Sequence, residues 1–111
     1  MYSSELIKGN LKTIVLKLLE QEGKMYGYEI TQKVKLMSGE KINITEGALY
    51  PTLHALEAEG AVTTETEFIG KRMRKYYLLT NSGRGLMHER VNEFSEFMNT
   101  MRIILDLKPA V

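Results

Sequence analysis

At Gly60 the spacing of apolar residues changes from a period near 3.6 to a period of 2. That change restricts the fold more than any other feature, because a helix face cannot be rewritten as a strand face. Before it, Thr45 to Gly60 reads TEGALYPTLHALEAEG, with Leu49, Leu53 and Leu56 on one helical face and Ala48 and Ala55 beside them. Thr45 is suited to cap this helix and Gly60 to end it in the left-handed conformation. After it, Val62 to Ile69 and Arg72 to Leu79 alternate as strands around Gly70 and Lys71, a two-residue turn, so a β-hairpin is expected. Pro51 lies inside the helical stretch, where it removes a hydrogen bond and crowds the residue four earlier. That residue is Gly47. One bent helix is expected, or a looser first turn ahead of Tyr50.

Two more helices precede this stretch. Leu11, Ile14, Val15, Leu18 and Leu19 repeat at helical spacing up to Glu22, with Ser3 or Ser4 as earlier caps and Gly23 as the stop. Gly27 opens the second, with Tyr26, Ile30, Val34 and Met37 as its buried face and Gly39 as its end. Ile42 and Ile44, flanking Asn43, have the pattern of a very short strand. The 111-residue length fits one modest domain.

Composition excludes more than it assigns. There is no cysteine, which rules out disulfides, thiol catalysis and thiolate-held zinc. His54 and His88 are the only histidines and fall in different helices, and no phosphate-binding glycine loop is present, so an enzyme is not expected. No cofactor or metal is expected either. No apolar run spans a membrane, and the first residues lack the apolar core of a secretory signal.

The net charge of +1 is uninformative, but its distribution is not. Lys71, Arg72, Arg74 and Lys75 crowd the hairpin tip directly after the Thr45–Gly60 helix. The outer side of that helix carries Tyr50, Thr52 and His54, while its acids, Glu57 and Glu59, come late. A carboxylate-free helix face beside a cationic hairpin suits phosphates and base edges. The candidate DNA-binding residues are therefore Asn43, Thr45, Tyr50, Thr52 and His54 on the helix side and Lys71, Arg72, Arg74 and Lys75 on the hairpin.

Thr80, Asn81 and Ser82 offer caps for a last helix, expected to run to about Asp106 or Leu107 with Pro109 just beyond. Met87, Val91, Phe94, Met98, Met101 and Leu105 are spaced as a heptad seam, and Leu86, Phe97 and Ile104 form a second row. Such a helix is too long to bury both rows on so small a domain, so the seam is the expected homodimer interface. The expected fold is mostly α with a β-hairpin: a winged helix-turn-helix over residues 1–80 and a long C-terminal dimerisation helix over 81–111.

Three segments, MYGYEI, EGALYPTLHALEAEG and RKYYLLTNSG, closely resemble the PadR-like transcriptional regulators of bacteria in order and spacing. They span Met25 to Gly83, more than half of the chain. The single last helix is similar to the short branch of that family. The resemblance implies a cytoplasmic homodimeric repressor, and two recognition helices on a dimer predict a palindromic operator in double-stranded DNA. Thr45, Tyr50 and Thr52 then fall in the helix that enters the major groove, and Lys71, Arg72, Arg74 and Lys75 in the wing. It also implies a small aromatic effector bound between tryptophans of the last helix. This sequence has no tryptophan; Phe94, Phe97, Met98 and Met101 are the pocket candidates in their place. The competing reading is a winged-helix protein–protein adaptor, which would carry apolar residues where the Thr45–Gly60 helix carries polar ones.

Overall fold

Residues 2–108 are described by a computed structural model. Four helices and three strands follow in the order α1 (Ser4–Glu22), β1 (Lys24–Met25), α2 (Gly27–Met37), α3 (Glu46–Ala58), β2 (Val62–Ile69), β3 (Arg72–Leu79) and α4 (Asn81–Ile104). Ser3 caps α1 by accepting the Leu6 N–H. Thr45 caps α3 by accepting the Ala48 N–H. The α3 helix continues through Pro51 without interruption, so the bent-helix expectation holds over the looser first turn. Its end is a Schellman turn: Gly60, at φ +78°, donates to Glu57 and Ala61 donates to Leu56.

The hairpin closes at Gly70–Lys71, and its register runs from Val62 opposite Leu79 to Ile69 opposite Arg72. A third strand, absent from the sequence reading, completes an antiparallel sheet of order β1-β3-β2. Lys24 and Met25 pair with Leu78 and Tyr77. They satisfy one end of the β3 edge and leave Arg72 to Tyr76 open along that side. The expected strand at Ile42–Ile44 does not form; Ile44 is buried in an irregular loop instead.

The core is the meeting of three faces. Leu11, Val15, Leu16, Leu18 and Leu19 of α1 close on Ile30 and Val34 of α2 and on Leu49, Leu53 and Leu56 of α3. Val62 and Tyr77 add the sheet, and Met87 adds the first turns of α4. Met37, expected on the buried face of α2, is 61% exposed. It falls at the helix's last turn, past the reach of α3. Salt bridges of Lys12 with Glu59 and of Lys33 with Glu22 tie α1 to α3 and α2, and Arg90 of α4 donates to Thr13 of α1 at 3.0 Å.

The root of α4 is fixed to the end of α3. The Thr80 N–H donates to the Ala61 carbonyl at 3.1 Å. The Thr80 hydroxyl donates to the Gly60 carbonyl at 2.6 Å, and the Ser82 hydroxyl reaches the same carbonyl at 3.0 Å. Gly83 is buried against Ala61 there, with no room for a side chain. Helix α4 ends at Ile104, with Leu105 as its cap and Asp106 at φ +54°. Pro109 lies outside the described residues.

Candidate nucleic-acid interface

The buried leucines of α3 turn its opposite side outward. Tyr50 and His54 are exposed one turn apart, with ring centroids 6.4 Å from each other. Thr52 is half-buried, and its hydroxyl donates to the Ala48 carbonyl at 3.0 Å. Its donor is thus committed to the helix, while its oxygen can still accept. Thr45 spends its oxygen on the Ala48 N–H. Asn43 is exposed but gives its amide hydrogen to the Glu40 carbonyl at 3.1 Å, which holds the loop ahead of α3. Of the helix-side candidates, Tyr50 and His54 present the freest polar groups.

The wing has two unlike faces, because side chains alternate along each strand. One face holds Thr64, Thr66 and Phe68 opposite Tyr77, Lys75 and Met73. It is the face on which Tyr77 enters the core. The other holds Glu65, Glu67 and Ile69 opposite Tyr76, Arg74 and Arg72. Both wing carboxylates are therefore on the second face, where the Lys24 ammonium meets Glu67 at 2.5 Å and Glu65 at 3.6 Å. Glu67 is the main cause, with Glu65 after it, of a Lys24 pKa raised above its ordinary value, while burial opposes the rise.

The four expected wing cations are not equivalent. Lys71, Arg72 and Lys75 are exposed and have no ion pair among the described residues. Arg74 is half-buried instead: its guanidinium lies 4.0 Å over the Tyr26 ring. Tyr26 in turn meets Tyr76 edge to face at 5.6 Å, and Lys24 sits 4.9 Å over Tyr76. The Tyr76 phenol, then Tyr26, raise the Arg74 pKa against the lowering effect of burial, so this group stays charged. Its place in the stack makes Arg74 a brace between the wing and the start of α2, a contact the other three wing cations do not make with Tyr26.

A groove of about 310 Å³ separates the wing from the helices, lined by Tyr26, Gly27, Tyr50, Met73, Lys75 and Tyr77 among others. Gly27 permits this shape. A side chain there would meet the Tyr50 ring, with a Cβ 2.9 Å from its Cζ. Tyr26 and Gly27 line this groove, although the sequence reading used Tyr26 only for the buried face of the second helix and Gly27 only to open it.

On α4, Met87 is 1% exposed and belongs to the core of its own chain, which removes it from the expected interface seam. The helix root docks on Gly60 and Ala61 just past α3, so Gly83 and Met87 are buried locally while the rest of the first two turns stays largely exposed. Val91 is half-buried, packed on the core. Phe94 and Met98, each 39% exposed, with Phe97, Met101 and Leu105, remain accessible beyond it. Phe94, Phe97, Met98 and Met101 line one open groove with Leu6, Asn10 and Thr13 of α1, about 660 Å³ in volume. All four pocket candidates are thus brought together. No helix among the described residues is long and apolar enough to cross a membrane.

This arrangement is shared with known proteins. The model of the transcriptional regulator PadR-like family matches residues 15–89. A transcriptional regulator from Clostridium thermocellum superposes with a TM-score of 0.83 at 29% identity, over 92% of this chain and 96% of that one. A protein from Streptococcus mutans is 32% identical over the whole of both chains, with a TM-score of 0.74. The Bacillus subtilis PadR, solved in complex with operator DNA, is 34% identical with a TM-score of 0.66, over 73% of this chain and 46% of that longer one. The chain has a winged helix-turn-helix with a long last helix, and it belongs to the PadR-like family of transcriptional regulators.

Proposed function

We propose that the chain is a cytoplasmic homodimeric repressor that reads a palindromic operator with α3 and grips its phosphates with the wing. The observation that carries this reading is the set of three exposed cations without an ion pair among the described residues, Lys71, Arg72 and Lys75, beside the exposed Tyr50 and His54 of α3, whose first turn also carries Glu46. The likeness to a PadR solved with operator DNA supports it. Tyr50 and His54 take the base edges and Thr52 accepts, while Thr45 and Asn43 hold the helix start in place. Two wings offer six free cations. At that number, affinity falls by about 10³ between 50 and 200 mM salt. Half-sites lie about 34 Å apart or at a multiple of that spacing.

Dimerisation uses the accessible part of α4: Val91, Phe94, Met98, Met101 and Leu105. Residues 1–80 act as the DNA-binding unit and 81–111 as the dimerisation unit. The groove lined by Phe94, Phe97, Met98 and Met101 accepts a flat aromatic effector, which acts by preferring one crossing of the two last helices over another. Methionines there repack readily around such a guest.

The test is fluorescence anisotropy on the DNA upstream of its own coding sequence and on a scrambled duplex, over a salt series. Preference for the upstream DNA with a steep negative slope is expected. Absence of binding to either duplex at low salt overturns the reading and favours the adaptor.

A further inference from the structure

Part of one strand edge in the sheet has no partner. Ile69 and Arg72 flank the two-residue turn as the closing hydrogen-bonded pair, so Arg72, Arg74 and Tyr76 turn their backbone groups toward β2. Met73, Lys75 and Tyr77 turn theirs the other way. Tyr77 meets Met25 of β1 there, and β1 ends with that residue. The backbone N–H and C=O groups of Met73 and Lys75 have no partner strand and make no other backbone hydrogen bond among the described residues. They face the groove of about 310 Å³ between the wing and the helices. Side chains from both faces of β3 line that groove, Arg72 and Arg74 from one and Met73 and Lys75 from the other. Both faces come together in this way only along a strand's edge. Tyr26, under the Arg74 guanidinium, closes the end next to β1, and Tyr50 stands across the groove.

An open edge is a template for a further strand, and the side chains beside it select what that strand carries. Arg72, Arg74 and Lys75 stand within four residues, and no carboxylate lines the groove among the described residues. Like charge keeps the same edge of a second copy away. DNA can meet the cations, but it cannot pair with the alternating N–H and C=O groups of a strand. We propose that this edge receives an extended acidic segment of a protein partner, which adds to β3 in line with β1 and displaces DNA by covering Tyr50 and the wing cations. About four guest residues, roughly 14 Å of strand, span Arg72 to Lys75. Acids lie opposite Arg72, Arg74 and Lys75, and an apolar residue lies opposite Met73. The backbone bonds hold the guest and the acids select it. The displacement of DNA rests on the DNA-binding reading above; the strand site does not.

The test uses the full chain and three fluorescein-labelled peptides. The first is TEEVEET, which offers the same pattern whether it lies parallel or antiparallel to β3. The second has the same sequence with N-methyl groups on alternate residues, the valine included, so its charge is kept and its edge-facing donors are lost. The third has lysine in place of each glutamate. Anisotropy should show binding of the first, about tenfold weaker binding of the second and none of the third. The amide resonances of Met73 and Lys75 should shift with the first peptide, and its unlabelled form should release the upstream duplex. Equal binding of the first two peptides overturns the proposal, because charge alone then accounts for it. No binding of the first peptide, shifts confined to other residues, or a duplex that stays bound at saturating peptide also overturns it. Each of these results leaves the DNA-binding reading intact. A chain that binds the first peptide but no duplex overturns the DNA-binding reading, and the displacement with it.

Discussion

Replacing Gly83 by alanine should unfasten α4 from the end of α3. A Cβ at Gly83 falls inside the van der Waals shell of the Ala61 carbonyl oxygen, 2.9 Å from the carbonyl carbon and 3.2 Å from Leu79 Cδ2. The obstacle is backbone, so no rotamer change relieves it. An ordinary carbon–oxygen contact of about 3.3 Å requires the helix start to retreat by about 1.4 Å. The retreat strains the bonds that Thr80 and Ser82 make to the Gly60 and Ala61 carbonyls. Losing two or three of them costs about 1 kcal/mol each. Loosened packing at Met87 adds about 1 kcal/mol. Alanine recovers about 1 kcal/mol of helix propensity, which leaves a net loss of about 2–3 kcal/mol. Gly85→Ala is the matched control, because a Cβ there meets nothing within 4 Å. It should stabilise by about 0.5–1 kcal/mol. Urea unfolding followed by far-ultraviolet circular dichroism reads both, at one fixed chain concentration because self-association would add to stability. A Gly83→Ala protein as stable as Gly85→Ala would refute the reasoning.

Gly27→Ala should swing the Tyr50 ring off the groove, weakening operator binding severalfold in anisotropy while stability changes by less than about 1 kcal/mol, because the obstacle is a movable side chain. Arg74→Ala should lower the urea midpoint slightly through loss of the stack on Tyr26, with the salt slope of DNA binding unchanged. Arg72→Ala should instead reduce that slope by about 1 and leave stability alone. Burial first, then Glu57 and Tyr50, raise the Tyr77 pKa above its ordinary value of 10.0. A raised folded-state pKa contributes stability that is whole below pH 10.0 and lost as pH rises through the folded value. Tyr77→Phe should therefore soften the alkaline loss of stability seen in pH-jump unfolding. Lys24, also raised, keeps a residual loss in the same direction.

Most of the fold was legible because it rests on local repetition. The Leu49, Leu53 and Leu56 spacing, the Gly60 stop and the Gly70–Lys71 turn each state their geometry within a few residues. β1 was not legible. Two residues have no period, and Lys24 and Met25 become a strand only because β3 presents an edge beside them. The stacking of Arg74 was not legible for a related reason. In sequence it equals Arg72, and the ring beneath it, Tyr26, belongs to a different element. Strand alternation did separate it from Lys75, and it puts Glu67 on the same face as Arg74 and Arg72. The heptad spacing on α4 does not say whose core it enters. Met87 enters its own because Gly83 lets the helix root approach Ala61.

The fixed root of α4 would let it work as a lever wherever its packing on α1 yields. Its 24 residues span about 36 Å, against about 20 Å for the 13 residues of α3. Pivoted at Gly60 and Ala61, a sideways push of about 3 Å at the far end of α4 is a rotation of about 5°. Carried through a stiff joint, that rotation would move the opposite end of α3 by slightly under 2 Å. Such a linkage would be a reduction gear whose output still exceeds the spread of hydrogen-bond lengths, about 2.7–3.2 Å. Fine positioning of the Tyr50 end would then be set by coarse events some tens of ångströms away, and a slack joint would forfeit it.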